Sequence, residues 1–118
     1  MKMVDLPKYI KISHHRIKVV CPYNFRERTD LCGQYDDNAK EIRLTRTDAG
    51  GSPHREDTVA VTLLHEIIHA LDILYGHRAL KGNEGAVDAL AEGLYGLIVK
   101  NPELIVYFMR AKAIGEKP

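Results

Sequence analysis

His65-Glu66-Ile67-Ile68-His69 is the stretch of this chain whose residue types and spacing can do chemistry. Two histidines four positions apart fall on one face of a helix, with Cβ atoms about 5–6 Å apart. That suits two ligands of one tetrahedral metal ion. Glu66 stands one position on, turned toward the edge of the same face. From there a carboxylate can hold a water beside the metal and accept its proton. The pattern therefore predicts a zinc-dependent hydrolase with Glu66 as general base. It requires a third ligand on a facing element, and partners for the imidazole N–H groups. The plainer alternative is two ordinary helix histidines near a surface glutamate.

The third ligand follows by elimination. A longer H-E-x-x-H-x-x-G-x-x-H pattern needs Gly at position 72 and His at 75, where this chain has Asp72 and Tyr75. His77 lies past Gly76 and ligates only if the helix breaks sharply. Further on, Glu84, Asp88 and Glu92 recur every four positions. On a helical wheel whose inward face centres on Val87 and Ala91, they turn about 60°, 100° and 140° away from Val87. Glu84 is thus the expected ligand, Asp88 the expected acceptor for a histidine N–H, and Glu92 a solvated charge. Asp72 either orients a ligand histidine or is solvated. Peptide hydrolysis also needs a group that stabilises an oxyanion; Tyr35, His54, Tyr95 and Tyr107 are all candidates. Zinc is the expected metal, although a His₂Glu set with an open position also suits non-haem iron.

These residues need elements to position them. A helix is expected from about Pro53 to Tyr75, capped by Ser52 and stopped by Gly76. Its apolar face holds Val59, Leu63, Ile67, Leu71 and Leu74, opposite Thr58, Thr62, His65, Glu66, His69 and Asp72. A second helix, Asn83 to Lys100, turns Val87, Leu90, Ala91, Leu94 and Ile98 inward. A third runs from Pro102 to about Ala113, with a frayed tail beyond Gly115. Before them, Tyr9–Ile12 and Ile17–Cys21 read as one bent strand or a tight pair. Residues 33–35 and 41–44 form a hairpin across an Asp/Asn turn. Strands first and helices after make an α+β domain, with 1–118 as a single unit.

Here a family resemblance becomes specific. His65-Glu66-Ile67-Ile68-His69 followed by Asn83-Glu84-Gly85-Ala86-Val87-Asp88 resembles the gluzincin pattern, H-E-x-x-H then N-E-x-x-x-D. Glu84-x-x-Val87-x-x-Leu90-Ala91-x-x-Leu94 is similar to the E-x-x-A-x-x-F-A-x-x-L segment of the ImmA/IrrE metallo-endopeptidase family. Small phage-associated members, with a G-L-Y like Gly93-Leu94-Tyr95, are the most alike. The resemblance spans residues 33 to 104 and implies a zincin-like fold: a short N-terminal antiparallel sheet, the HEXXH helix, a second ligand-bearing helix and a C-terminal helix. It implies zinc held by His65, His69 and Glu84 with Glu66 as base, and a substrate peptide along an edge strand near Ile42–Thr45. The substrate would be a protein or peptide, such as a repressor or a phage structural protein. Val87 and Leu90 depart from the small and aromatic residues usual there, and no recognition domain is evident. An alternative of another class is a zinc-binding phage assembly or regulatory module with little or no protease activity.

Composition bounds these readings. The chain has 118 residues and a net charge of +1, with 45% hydrophobic and 28% charged residues, enough for one core. There is no large basic excess of the kind that draws nucleic acid. No run of about 18 apolar residues suggests a membrane span, and Met1 to His15 lacks the apolar stretch of a secretory signal. Cys21 and Cys32 are expected to be reduced, buried thiols in a cytoplasmic protein. Oligomeric state is left open.

Overall fold

A computed structural model describes residues 5–25 and 31–115. Four strands come first: β1 (Tyr9–Ile12), β2 (His15–Val20), β3 (Gly33–Asp36) and β4 (Glu41–Leu44). Three helices follow: α1 (Glu56–Leu74), α2 (Glu84–Lys100) and α3 (Pro102–Gly115). The protein is α+β, as the order of the apolar patterns predicts. The tail beyond Gly115 lies outside the described residues.

The sheet order is β1-β2-β4-β3. β1 and β2 form a tight antiparallel pair, settling the choice between a pair and one bent strand. β3 and β4 are the expected hairpin, with Tyr35 opposite Ile42. Its turn is held by Asp36 Oδ1, which accepts the Ala39 N–H at 3.0 Å, and by Lys40, whose Nζ donates to Asp37 Oδ1 at 2.9 Å. The sheet is mixed rather than purely antiparallel, because β2 and β4 run parallel. Consequently β4 lies inside the sheet. The segment near Ile42–Thr45, expected at the edge, is flanked on both sides, and β3 takes the edge instead.

One sheet face is apolar because the strands alternate. Ile17 and Val19 of β2 and Ile42 and Leu44 of β4 point inward, while Lys18 and Arg43 point away. α1 lies across this face, contributing Leu63, Ile67, Ala70 and Leu74. Its other side meets α2: Ile68, Val61 and Leu64 pack against Val87 and Ala91. α1 therefore has two buried faces where the wheel predicted one. Leu71, assigned to that single face, is 39% exposed. On α2 only Val87 and Ala91 are buried; Leu90, Leu94 and Ile98, expected inside, are exposed. The helix has one neighbour along this length and can bury one narrow stripe.

α1 also begins later than expected. Ser52 does not cap it, since residues 48–52 close their own turn on Asp48 Oδ1 and Pro53 bridges Thr47. Arg55 occupies the N-cap without a side-chain capping bond, and the acidic Glu56 and Asp57 follow in the first turn. An Arg46–Glu56 ion pair at 2.7 Å ties the start of the helix to the end of β4. Both cysteines are free; Cys21 is half-buried, with its thiol pKa pushed up by burial, while Cys32 is exposed rather than buried.

Candidate metal centre

The i, i+4 spacing on α1 brings His65 and His69 to one side of the helix, their Nε2 atoms 3.2 Å apart. Glu84 reaches them from the first turn of α2. Its Oε2 lies 3.1 Å from His65 Nε2, and its Oε1 lies 2.7 Å from His69 Nε2. Local sequence sets this approach. Asn83 is the N-cap of α2, its side chain accepting the Ala86 N–H at 3.0 Å, which fixes where the helix starts and where Glu84 points.

Behind the ligand cluster, His65 Nδ1 is 2.7 Å from Asp88 Oδ1. An imidazole that donates its Nδ1 proton to that carboxylate presents a bare lone pair at Nε2. Lone pairs of His65 and Glu84 then converge with His69 Nε2, an arrangement that could hold a metal ion. The fit to zinc can be tested by size. Tetrahedral bonds of about 2.0–2.1 Å place neighbouring donors about 3.3 Å apart. The observed separations of 2.7–3.2 Å, which involve both Glu84 oxygens, are hydrogen-bonding distances shorter than that value, so the donors would move slightly apart to admit the ion. These three residues form a cluster whose donor atoms all lie within 4.8 Å of one another, one facing helix contributing each type of donor.

Glu66 is 6% exposed, the only buried charged side chain among the described residues. Its carboxylate lies 4.0 Å from His65 Nε2. Burial raises its pKa; His65 and His69 oppose that shift, Glu84 adds to it, and the Tyr35 backbone N–H, donating to the carboxylate, lowers it. A buried ionisable group beside specific charge partners marks a candidate functional site.

β3 comes close enough to supply that N–H because of Gly33. A Cβ there would sit 2.9 Å from Thr62 Cγ2 and 3.2 Å from Glu66 Cγ. In the sequence Gly33 stands out only as the first hairpin residue. An isolated glycine opening a strand was the available signal, since it marks a close backbone approach.

The remaining candidates separate clearly. Asp72 does not orient a ligand histidine: its Oδ1 accepts the Leu80 N–H at 3.1 Å, clamping the loop between α1 and α2. His77 lies in that loop, exposed, with φ of 51°. Glu92 is exposed and, with Tyr95, Thr58 and Thr62, lines a groove of about 510 Å³ between the two helices, one turn from Glu66. Tyr35 donates its hydroxyl to Asp37 at 2.9 Å, which together with burial pushes its pKa up. The His54 Nε2 is buried without a hydrogen-bond partner. Tyr107 sits on α3, 64% exposed. Of the four oxyanion candidates, Tyr95 is the one that lines this groove.

No family model matches this chain, and neither a curated protein nor a solved structure does.

Proposed function

We propose that this chain is a zinc-dependent metallopeptidase-like domain of gluzincin type, hydrolysing peptide bonds in a protein substrate. One observation carries the reading: His65, His69 and Glu84 converge from two helices while a buried carboxylate, Glu66, stands beside them. A structural zinc site closes four protein ligands and has no use for a buried base. Here three donors converge, and Glu66 Oε2 stands 4.0 Å from one of them, His65 Nε2. Zinc held by these residues would supply Lewis-acid polarisation of a carbonyl and of water.

The protein's own groups account for the rest. Glu66, with its pKa raised by burial, is suited to take a proton from water at Oε2 and return it to the leaving amine. Asp88 keeps His65 in the tautomer that ligates. β3 offers a free sheet edge beside Glu66, where an extended peptide can add as a further strand. The Tyr35 N–H fixes Glu66 relative to that edge.

Elemental analysis of the purified protein is the primary test, made on the wild type and on His69→Ala and Glu84→Ala. One zinc per chain, lost in both variants, is the expected result. Glu66→Gln should retain the metal and abolish cleavage of unfolded protein substrates. Turnover surviving in Glu66→Gln would remove Glu66 as the base. Zinc bound by a wild type that cleaves nothing would favour the regulatory module.

A further inference from the structure

No residue of α3 is fully buried, and only Leu104 is partly so. Of its 14 residues, only Glu103, Arg110 and Lys112 are charged, and apolar side chains surround the whole helix. A helix apolar on all sides is ordinarily enclosed. Here Val106 is 49% exposed, Phe108 55%, Tyr107 64% and Met109 66%. The molecule is drawn out accordingly: its radius of gyration is 15.5 Å, against about 13.5 Å for a compact chain of this length.

We infer that a second copy of this chain covers α3, the two α3 helices pairing antiparallel about a two-fold axis between Val106 and Tyr107. The charges select this occupant. Glu103 and Arg110 are one heptad apart, so they share a helix face with Val106 and Tyr107 between them. Among the described residues neither has an ion-pair partner. Antiparallel pairing about that axis sets Glu103 of each copy opposite Arg110 of the other, twice in one interface. This is the self-complementarity that two-fold association needs. Opposed helix dipoles act in the same direction.

The exposed area is also substantial. Eleven large apolar side chains on α2 and α3 are between 38% and 69% exposed. At about 150 Å² for a fully exposed large side chain, they present roughly 800 Å². This total is spread around both helices, so the face that pairs supplies part of the roughly 800 Å² that each partner contributes to a standard interface. The metal cluster sits at the opposite end of α2, 17 residues away, or about 25 Å. Pairing through α3 therefore leaves the site open, and the inference does not depend on the proposed activity.

Sedimentation velocity on the full chain across the micromolar range tests it. The expected particle has twice the 13.3 kDa chain mass. Glu103→Arg and Arg110→Glu should each weaken the dimer by about tenfold or more, because like charges then face each other at both ends. The double variant Glu103→Arg with Arg110→Glu should restore it. Circular dichroism and zinc content should be unchanged in all three variants. A wild type that stays monomeric throughout would overturn the inference, as would single variants that dimerise normally or a charge swap that fails to rescue. A monomer that floats with vesicles of phosphatidylcholine and phosphatidylglycerol would assign α3 to a lipid surface instead.

Discussion

Glu66 carries the tension between stability and chemistry at this site. Its carboxyl is enclosed, and burial raises its pKa above the ordinary glutamate value. A folded pKa above the unfolded one means that ionisation opposes folding, so stability falls as pH rises past the unfolded value. Glu66→Gln is therefore expected to raise the melting temperature of metal-free protein at neutral pH, as measured by calorimetry, while removing turnover. Asp88 acts at one remove, through His65. Asp88→Ala should lower zinc affinity by about 10–100-fold in a chelator competition, whereas Glu92→Ala should leave it unchanged. Equal losses in the two variants would mean that Asp88 does not orient the ligand.

At the scale of elements, the site depends on how closely β3 lies against α1. Gly33→Ala places a methyl within 2.9 Å of Thr62 Cγ2 and 3.2 Å of Glu66 Cγ. The strand must then move away, at an expected cost of about 1–3 kcal/mol in denaturant unfolding. Because β3 also carries the Tyr35 N–H, turnover should fall by more than metal content does. The β3–β4 hairpin should loosen in acid. Asp36 is held below the ordinary carboxylate range mainly by the Ala39 N–H, and Asp37 mainly by Lys40. Depressed folded values give stability that is full above the ordinary aspartate pKa and lost as pH falls through the folded ones. Amide exchange at Asp36 to Lys40 should accordingly quicken below about pH 4, before the helices respond. Simultaneous loss everywhere would contradict this.

For the whole molecule, the cluster lies at one end of the packed seam between α1 and α2. α2 is fixed to α1 by Val87, Ala91 and their neighbours, and Glu84 would add a metal-mediated tie at its start. Zinc held by these three donors would bind the folded state alone, because the unfolded chain does not assemble them. A hundredfold excess over Kd then contributes about 2.7 kcal/mol, a rise in melting temperature on the order of 10 °C. Chelator should reverse the rise, and Glu84→Ala should abolish it. No described helix is long and apolar enough to cross a membrane.

The sequence by itself determined what is local. Histidines four apart on a helix share a face whatever surrounds them, and the turn chemistry of residues 36–40 placed the β3–β4 hairpin. The step of four from Glu84 to Asp88 put both carboxylates within reach of His65, while Glu92, a turn further on, lines the neighbouring groove. Only the tertiary structure decided the rest. Which strand is the edge depends on a parallel pairing between segments far apart in the chain, so β4, legible as a strand, was not legible as an interior one. α1 has two buried faces because a sheet lies on one side and α2 on the other, and no wheel of α1 alone contains that neighbour. Leu90, Leu94 and the apolar face of α3 follow the same logic in reverse: periodicity reports which residues favour burial, while the packed chain determines whether anything is there to bury them.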